Sequence, residues 1–389
     1  MTDAGRKTVI KRKFGRYGGT VAGITAIFLS AMFFIMPDTS SESVKASLLR
    51  CADNVIPVIF PFTVASNLFS ASGVSDFVDE ALSRPFRFLF GMRRGASAVL
   101  SGLLFGFPIG ALAASKLFSG GKITKAECER LLCFACAASP PYPVLAVGRA
   151  LFGSALSGFL IWSSQAAVSL SVGILLNLIR PLGNADLPPE RGGSDISRVS
   201  LPRVLTKAVS DASGVMISVC GAVVFFSLSS DVISEAISGF SDNAYIMLAV
   251  KSLFEFTSGC ASSAALYGAG EISFASAMFF AGLSVGTSGF SVMCQTDSVV
   301  GSAGDLNIYP YIASKLASGV LTGVICFAAA EIFPCFSESA PASLIGEAVN
   351  YVASQRLFSI IFALLAVFLS VLSLLIKYRP CKKQKKGVK

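Results

Sequence analysis

Between residues 18 and 377 the chain is apolar again and again over stretches close to twenty residues long, and charged residues seldom enter them. A bilayer helix needs about 20 such residues. In lipid every backbone N–H and C=O must be bonded internally, so this pattern restricts the chain to helices packed in a membrane. Composition agrees: 53% of the 389 residues are hydrophobic and 14% are charged, against about 25% charged in soluble domains.

The basic residues are concentrated at the two ends. Residues 1–17 hold Arg6, Lys7, Lys11, Arg12, Lys13 and Arg16 against Asp3 alone. Residues 377–389 hold Lys377, Arg379, Lys382, Lys383, Lys385, Lys386 and Lys389 against no acid. Beside apolar spans such clusters read as topology signals that stay cytoplasmic, rather than as nucleic-acid arms. The expected localisation is a multi-pass protein of the cell membrane with both termini inside and an even number of crossings. Its expected surroundings are the lipid bilayer and a small-molecule solute, without nucleic acid; a homo-oligomer is compatible with the chain.

The chain contains no His, which removes a Ser-His-Asp triad, a zincin and any His relay. "CFAC" (Cys133–Cys136) has no second cysteine pair to complete a zinc site. "GLSVG" (282–286) fits a nucleophile elbow and "GGKIT" a fragment of a phosphate loop, but the first has no histidine to serve it and the second lacks the upstream Gly and the adjacent Ser/Thr. The expectation is a protein that is not an enzyme and has no cofactor, with coupling to H+ or Na+ left open.

The first span, 18–36, carries a basic flank and reads as a signal-anchor. Residues 44–70 form an apolar segment that Pro57 and Pro61 should interrupt. Residues 76–94 mix Asp76, Asp79, Glu80, Arg84, Arg87, Arg93 and Arg94 with apolar residues, as an interfacial helix or a cytoplasmic link would. Further apolar segments lie at 95–119, 124–138, 143–179, 209–233, 243–267, 272–295, 309–333 and 357–377. "PLGNADLPPERGGSDISRVSLP", within 181–203, reads as a polar linker. The organisation expected is 1–43 as basic N-terminus and first helix, 44–180 as a first repeat, 181–203 as linker, 204–333 as a second repeat, and 334–389 as last helix and basic tail. The fold class is an all-α polytopic membrane protein of roughly eight membrane segments.

The repeat comes from the chain itself. A shift of 149 aligns 104–139 on 253–288 without a gap, with nine identities in 36 positions. "LLFGFPIG" (103–110) falls on "SLFEFTSG" (252–259), Gly121 on Gly270 and Ser139 on Ser288. Two related repeats with broken or re-entrant helices are a mark of secondary transporters; their parallel or inverted sense is left open. Pro108 should break its helix, and Gly106 and Gly110 make bending cheap. At membrane depth a break is tolerated only where protein or a watery cavity satisfies the backbone. Gly102, Gly106 and Gly110 also fit plain helix packing at four-residue spacing.

"TKAE" (124–127) predicts a capping box, and Pro140, Pro141 and Pro143 stop the helix it starts by Ser139. About 15 residues at ~1.5 Å each cannot cross a bilayer, so the segment should dip in and end partway. "TSGFS" (287–291) is its counterpart. Glu255 is the strongest intramembrane acid, with Lys251 one turn before it as an alternative ion-pair partner. Lys116 and Lys315 are ambiguous between snorkelling and function. The candidate substrate-binding residues are Gly106, Pro108, Gly110, Ser139, Pro140, Glu255, Thr257, Ser258, Gly259, Ser288, Gly289, Ser291 and Gln295.

These residues also carry a resemblance. "FGFPIGALAASKLFSGGKITKAECERLLCFACAASPPYPVLAVG" (105–148) resembles the YlbJ-type sporulation integral membrane proteins, which contain the nucleoside-recognition Gate domain. Pro108, Gly110, Ala111, Glu127, Glu129, Arg130, Leu131, Leu132, Phe134, Ser139 and Pro140 fill that family's first pattern; "EFTSG" (255–259) and "GFSVMCQ" (289–295) resemble its second. Ala137 and Ala138 stand where the family commonly has Asn or Thr before the break, and Met293 stands where it has His. The resemblance implies a role in endospore formation and a carrier for a nucleoside-like solute or for dipicolinate, a small aromatic dianion. A structural or assembly protein of the spore-forming membrane, without transport, is the alternative.

Overall fold

In a computed structural model the described residues are 33–71, 74–182, 201–241, 243–301 and 303–332, with Phe336 and a few positions between 20 and 31. The polar linker and the last span, 357–377, lie outside them or nearly so, as do both basic ends; of the first span only some positions are described, among them the helical and exposed Ile24, Ile27 and Phe34. All the regular secondary structure among the described residues is helical, with no strand among them.

Helix α1 (Pro37–Arg50) runs into a π-helical turn, Cys51–Val55, and then α2 (Ile56–Ala71). The interruption expected at Pro57 and Pro61 therefore falls one turn earlier. Proline cannot donate to the carbonyl four residues before it, so Pro57 loosens the turn upstream, while Pro61 stays within the helix. The two stretches, Pro37–Val55 and Ile59–Phe69, are bent by 54°. Short amphipathic helices follow, α3 (Val74–Ala81) and α4 (Ser83–Phe90). Asp79 is buried and accepts from the backbone N–H groups of Gly95 (3.1 Å) and Ser97 (2.8 Å), which starts the next helix.

That helix is α5 (Ala96–Phe105), followed by α6 (Ile109–Ser119), α7 (Lys125–Ala135), a π-helical segment Tyr142–Leu151 and α8 (Ala155–Ile179). After the linker come α9 (Leu201–Ser238), α10 (Ala244–Phe254), α11 (Phe256–Gly268), α12 (Phe274–Thr287), α13 (Gly289–Gly301) and α14 (Tyr309–Ile332). Four runs among the described residues are long and apolar enough to cross a membrane: 155–179, 202–238, 274–301 and 309–332. The bent pair of α1 and α2 makes a fifth. Eight full crossings are not seen among the described residues, because the segments expected at 95–119 and 243–267 are each two short helices meeting at a break.

The run 274–301 is buried over 83% of its most apolar window, against 33% to 39% for the other three, so α12 and α13 form the inner element. Its close approach to α14 uses small residues. A Cβ on Gly286 would stand 2.7 Å from the Cα of Gly319, and one on Gly282 would stand 3.1 Å from the Cα of Gly323. "GLSVG" is thus a packing motif.

The element bounds follow the 149-residue shift. α5, α6, α7 and most of α8 fall on α10, α11, α12 and α14. The predicted capping box is present: Thr124 Oγ1 accepts from Glu127 N at 3.3 Å and Glu127 Oε2 accepts from Thr124 N at 2.7 Å. At the matching position Ser273 Oγ accepts from Ser276 N at 3.1 Å. Gly121 and Gly270 both close the preceding turn in the left-handed region, at φ 69° and 75°, which explains their identity.

Candidate functional site

The two breaks of the shifted pair are built differently and meet. In the first, α5 stops at Phe105. Gly106 takes φ 86°, Phe107–Pro108 is a cis peptide, and α6 restarts at Ile109. In the second, α10 stops at Phe254 and α11 restarts at Phe256, with the single residue Glu255 extended between them. Phe107 and Phe256 occupy matching positions, and their rings contact edge to face at 5.7 Å. Tyr142, just after the prolines, packs its ring on Phe256 at 5.0 Å.

Glu255 is fully buried and caps α11. Its Oε2 accepts from Ser258 N at 2.8 Å and from the Thr257 hydroxyl. A carboxylate suits a helix N-terminus, where the backbone N–H groups are unpaired. Its Oε1 has no hydrogen-bond partner among the described residues. Lys251, the ion-pair partner considered from the sequence, instead bonds Asp231 of α9 at 2.9 Å. The reason is geometric: α10 ends before Glu255, so the two residues no longer share a helix face. Arg50, at the end of α1, donates from Nη2 to Ser47 Oγ at 2.9 Å, and its Nε is buried without a hydrogen-bond partner among the described residues.

The later breaks close on the earlier ones. Ser139 is buried against Gly106, where a Cβ would stand 2.9 Å from its Oγ. Pro140 follows it, half-buried, and Pro108 caps α6. In the second half, Ser288 and Gly289 both adopt the left-handed region, at φ 63° and 70°. That is uncommon for a serine and marks a held conformation. Gly289 lies on the second break, where a Cβ would be 3.1 Å from Phe254 O and from Phe256 N. The two later breaks differ in kind. Three prolines without N–H groups end α7 outright, whereas one left-handed turn only kinks α12 into α13. The short re-entrant-like element is therefore α7 alone, about 16 Å long.

Several expected residues serve packing instead. Cβ atoms on Gly102 and Gly110 would stand 1.7 and 2.1 Å from Ala135 O, so these glycines admit the end of α7. Gly259 likewise admits Ser252 and Ser284, with a Cβ 2.3 Å from Ser284 Oγ. Thr257 and Ser258 face inward onto Glu255, and Ser291 is buried with an unpartnered hydroxyl. Gln295 sits half-buried on α13, seven residues beyond the Ser288 turn.

Two central polar residues stand outside the expected substrate-binding set: Gln165 was not singled out from the sequence, and Lys315 was left ambiguous between snorkelling and function. Gln165 of α8 is buried, accepts from Ala138 N at 3.2 Å and donates to Val285 O at 3.1 Å, tying the two later breaks together. Lys315 of α14 is fully buried and donates to Cys136 O. Gln165 is a buried amide near the middle of a 25-residue apolar helix, whose other amide, Asn177, lies at its end; a mid-span amide was a signal in the sequence. Tyr311 is buried beside Thr296, its hydroxyl 3.2 Å from Thr296 Oγ1.

No family model and no solved structure matches the chain. Among curated proteins it is similar to the sporulation integral membrane protein YlbJ of Bacillus subtilis (strain 168), 24% identical over 328 residues. The match covers 77% of this chain and 79% of that protein. This similarity supports assigning the chain to the YlbJ type, to which its two motifs had pointed.

Proposed function

We propose that the chain is a membrane carrier for a small solute, with its site where the two helix breaks meet. The solute class is a dipicolinate-like anion or a nucleoside-like molecule, and the setting is the spore-forming membrane, as the relative's name suggests. The chain is read as two related repeats. The matching bounds of α5–α8 and of α10–α12 with α14 support this. So does the exchange of partners: α7 packs on α14 as α12 packs on α8, and α6 packs on α13 as α11 packs on the segment 142–151.

One observation carries the reading. The matched breaks touch at Phe107 and Phe256, around a buried carboxyl, Glu255, with one oxygen unpartnered. The cap accounts for Oε2 alone, and leaving the other oxygen of a buried carboxyl unpartnered is costly in a pure packing role. Glu255 is the residue to orient solute or carry a coupling proton.

The second reading, a structural or assembly protein, draws on the close glycine contacts of α12 with α14. Uptake of labelled dipicolinate and of a labelled nucleoside into proteoliposomes, with and without a proton gradient, separates the two. Glu255→Gln keeps an acceptor oxygen for the α11 cap and so spares folding. Saturable uptake of one solute, abolished in this variant, is the expected result. Absence of uptake of either from folded wild-type protein would favour the structural reading.

A further inference from the structure

The site contains a cation that packing does not explain. A buried carbonyl at the end of a helix must find a donor. In the second half that carbonyl is Val285 O, and Gln165 from α8 bonds it. The matching carbonyl in the first half is Cys136 O, and Lys315 from α14 bonds it. A neutral amide thus does the task in one half and an ammonium does it in the other. Only the ammonium brings the cost of a buried charge.

Lys315 has three N–H donors, of which Cys136 O takes one. It stands 5.5 Å from the centre of the Phe107 ring, at the crossing of the two breaks, a contact that offsets part of its desolvation. Among the described residues no carboxylate pairs with it. Intramembrane cations of this kind mark places where charge is used.

We propose that Lys315 is the specificity-determining residue of the site, binding a carboxylate of the solute beside Phe107. The proposal rests on the carrier reading and selects its anionic solute class over the nucleoside-like one. Lys315 then clamps α7 and reads the solute at once, and solute binding supplies the counter-charge that the described residues do not.

The test uses the full chain in detergent, with thermal melting and equilibrium binding as readouts. The probes are dipicolinate, its neutral diamide and uridine. Wild-type protein should be stabilised by the dicarboxylate and not by the diamide. Lys315→Gln supplies the same neutral clamp that Gln165 provides opposite, so it should fold; its affinity for the dicarboxylate should fall roughly 10- to 100-fold, as for a lost hydrogen bond to a charged group. Lys315→Arg should retain part of the binding. If Lys315→Gln does not fold, the wild-type contrast between dicarboxylate and diamide decides alone. Equal stabilisation by the diamide overturns the proposal, as does wild-type affinity in folded Lys315→Gln, or binding of uridine without the dicarboxylate. The carrier reading survives all three. Binding of no probe by folded protein also overturns it, and the uptake assay then shows whether the carrier reading falls with it.

Discussion

At the scale of residues, the core of this protein is governed by what can approach a helix end. Ala135 O is hemmed in by Gly102 and Gly110, and no side chain larger than hydrogen fits at either. Gly102→Ala and Gly110→Ala should each destabilise by about 1–3 kcal/mol or more, since the carbonyl is backbone and cannot swing away. Thermal melting in detergent checks this. Gly214→Ala is the control. Its Cβ would meet nothing within 4 Å in α9, and Ala is the better helix former, so no loss is expected. Glycine spacing in the sequence suggested both packing and bending. The structure divides the work: Gly102 and Gly110 pack, and Gly106 bends. Glu255 was visible as a lone acid in an apolar run. Its role as a cap was not, because a cap exists only once Phe254 ends one helix and Phe256 starts another.

At the scale of elements, short helices replace long spans at the breaks near Pro108 and Glu255. The sequence showed the first of these breaks through Pro108 and the second through its alignment on the first; Gly121 and Gly270 mark the turns that follow, whose positive φ only glycine adopts cheaply. Hydropathy kept 272–295 as one segment, as α12 and α13 turn out to be, whereas the internal alignment matched "TSGFS" to "SPPYP" as a second break; missing N–H groups end a helix and one left-handed turn does not. The inner position of α12 can be tested by cross-linking. A Cβ at Gly282 would stand 3.0 Å from Cys326 Sγ of α14, the separation a disulfide requires between Cβ and the far sulfur. Gly282→Cys, with Cys326 as the only other cysteine, should oxidise readily to an intramolecular bond, seen as loss of both thiols to a maleimide under denaturing conditions. Two persistently free thiols would place α12 and α14 farther apart.

At the scale of the whole molecule, the stretches 96–179 and 244–332 exchange partners across a shared centre. Each half sends one long helix to bond a carbonyl next to the other half's later break: Gln165 of α8 bonds Val285 O of α12, and Lys315 of α14 bonds Cys136 O at the end of α7. Sequence comparison within the chain found the shift of 149 but could not find this exchange, since contacts between halves leave no trace in periodicity. Gln165→Leu should therefore loosen the molecule as a whole, leaving Ala138 N and Val285 O unbonded at about 1–3 kcal/mol for each group, readable as a lower melting temperature. The central claim is that one solute sits between the matched breaks. The most direct measurement places single cysteines at Ser139 and at Ser288, in a chain otherwise free of cysteine, and follows maleimide labelling with and without the transported solute. The account predicts that the solute slows labelling at both positions, with the same concentration dependence as uptake. Labelling that the solute leaves unchanged at both, or alters in one half alone, would contradict it.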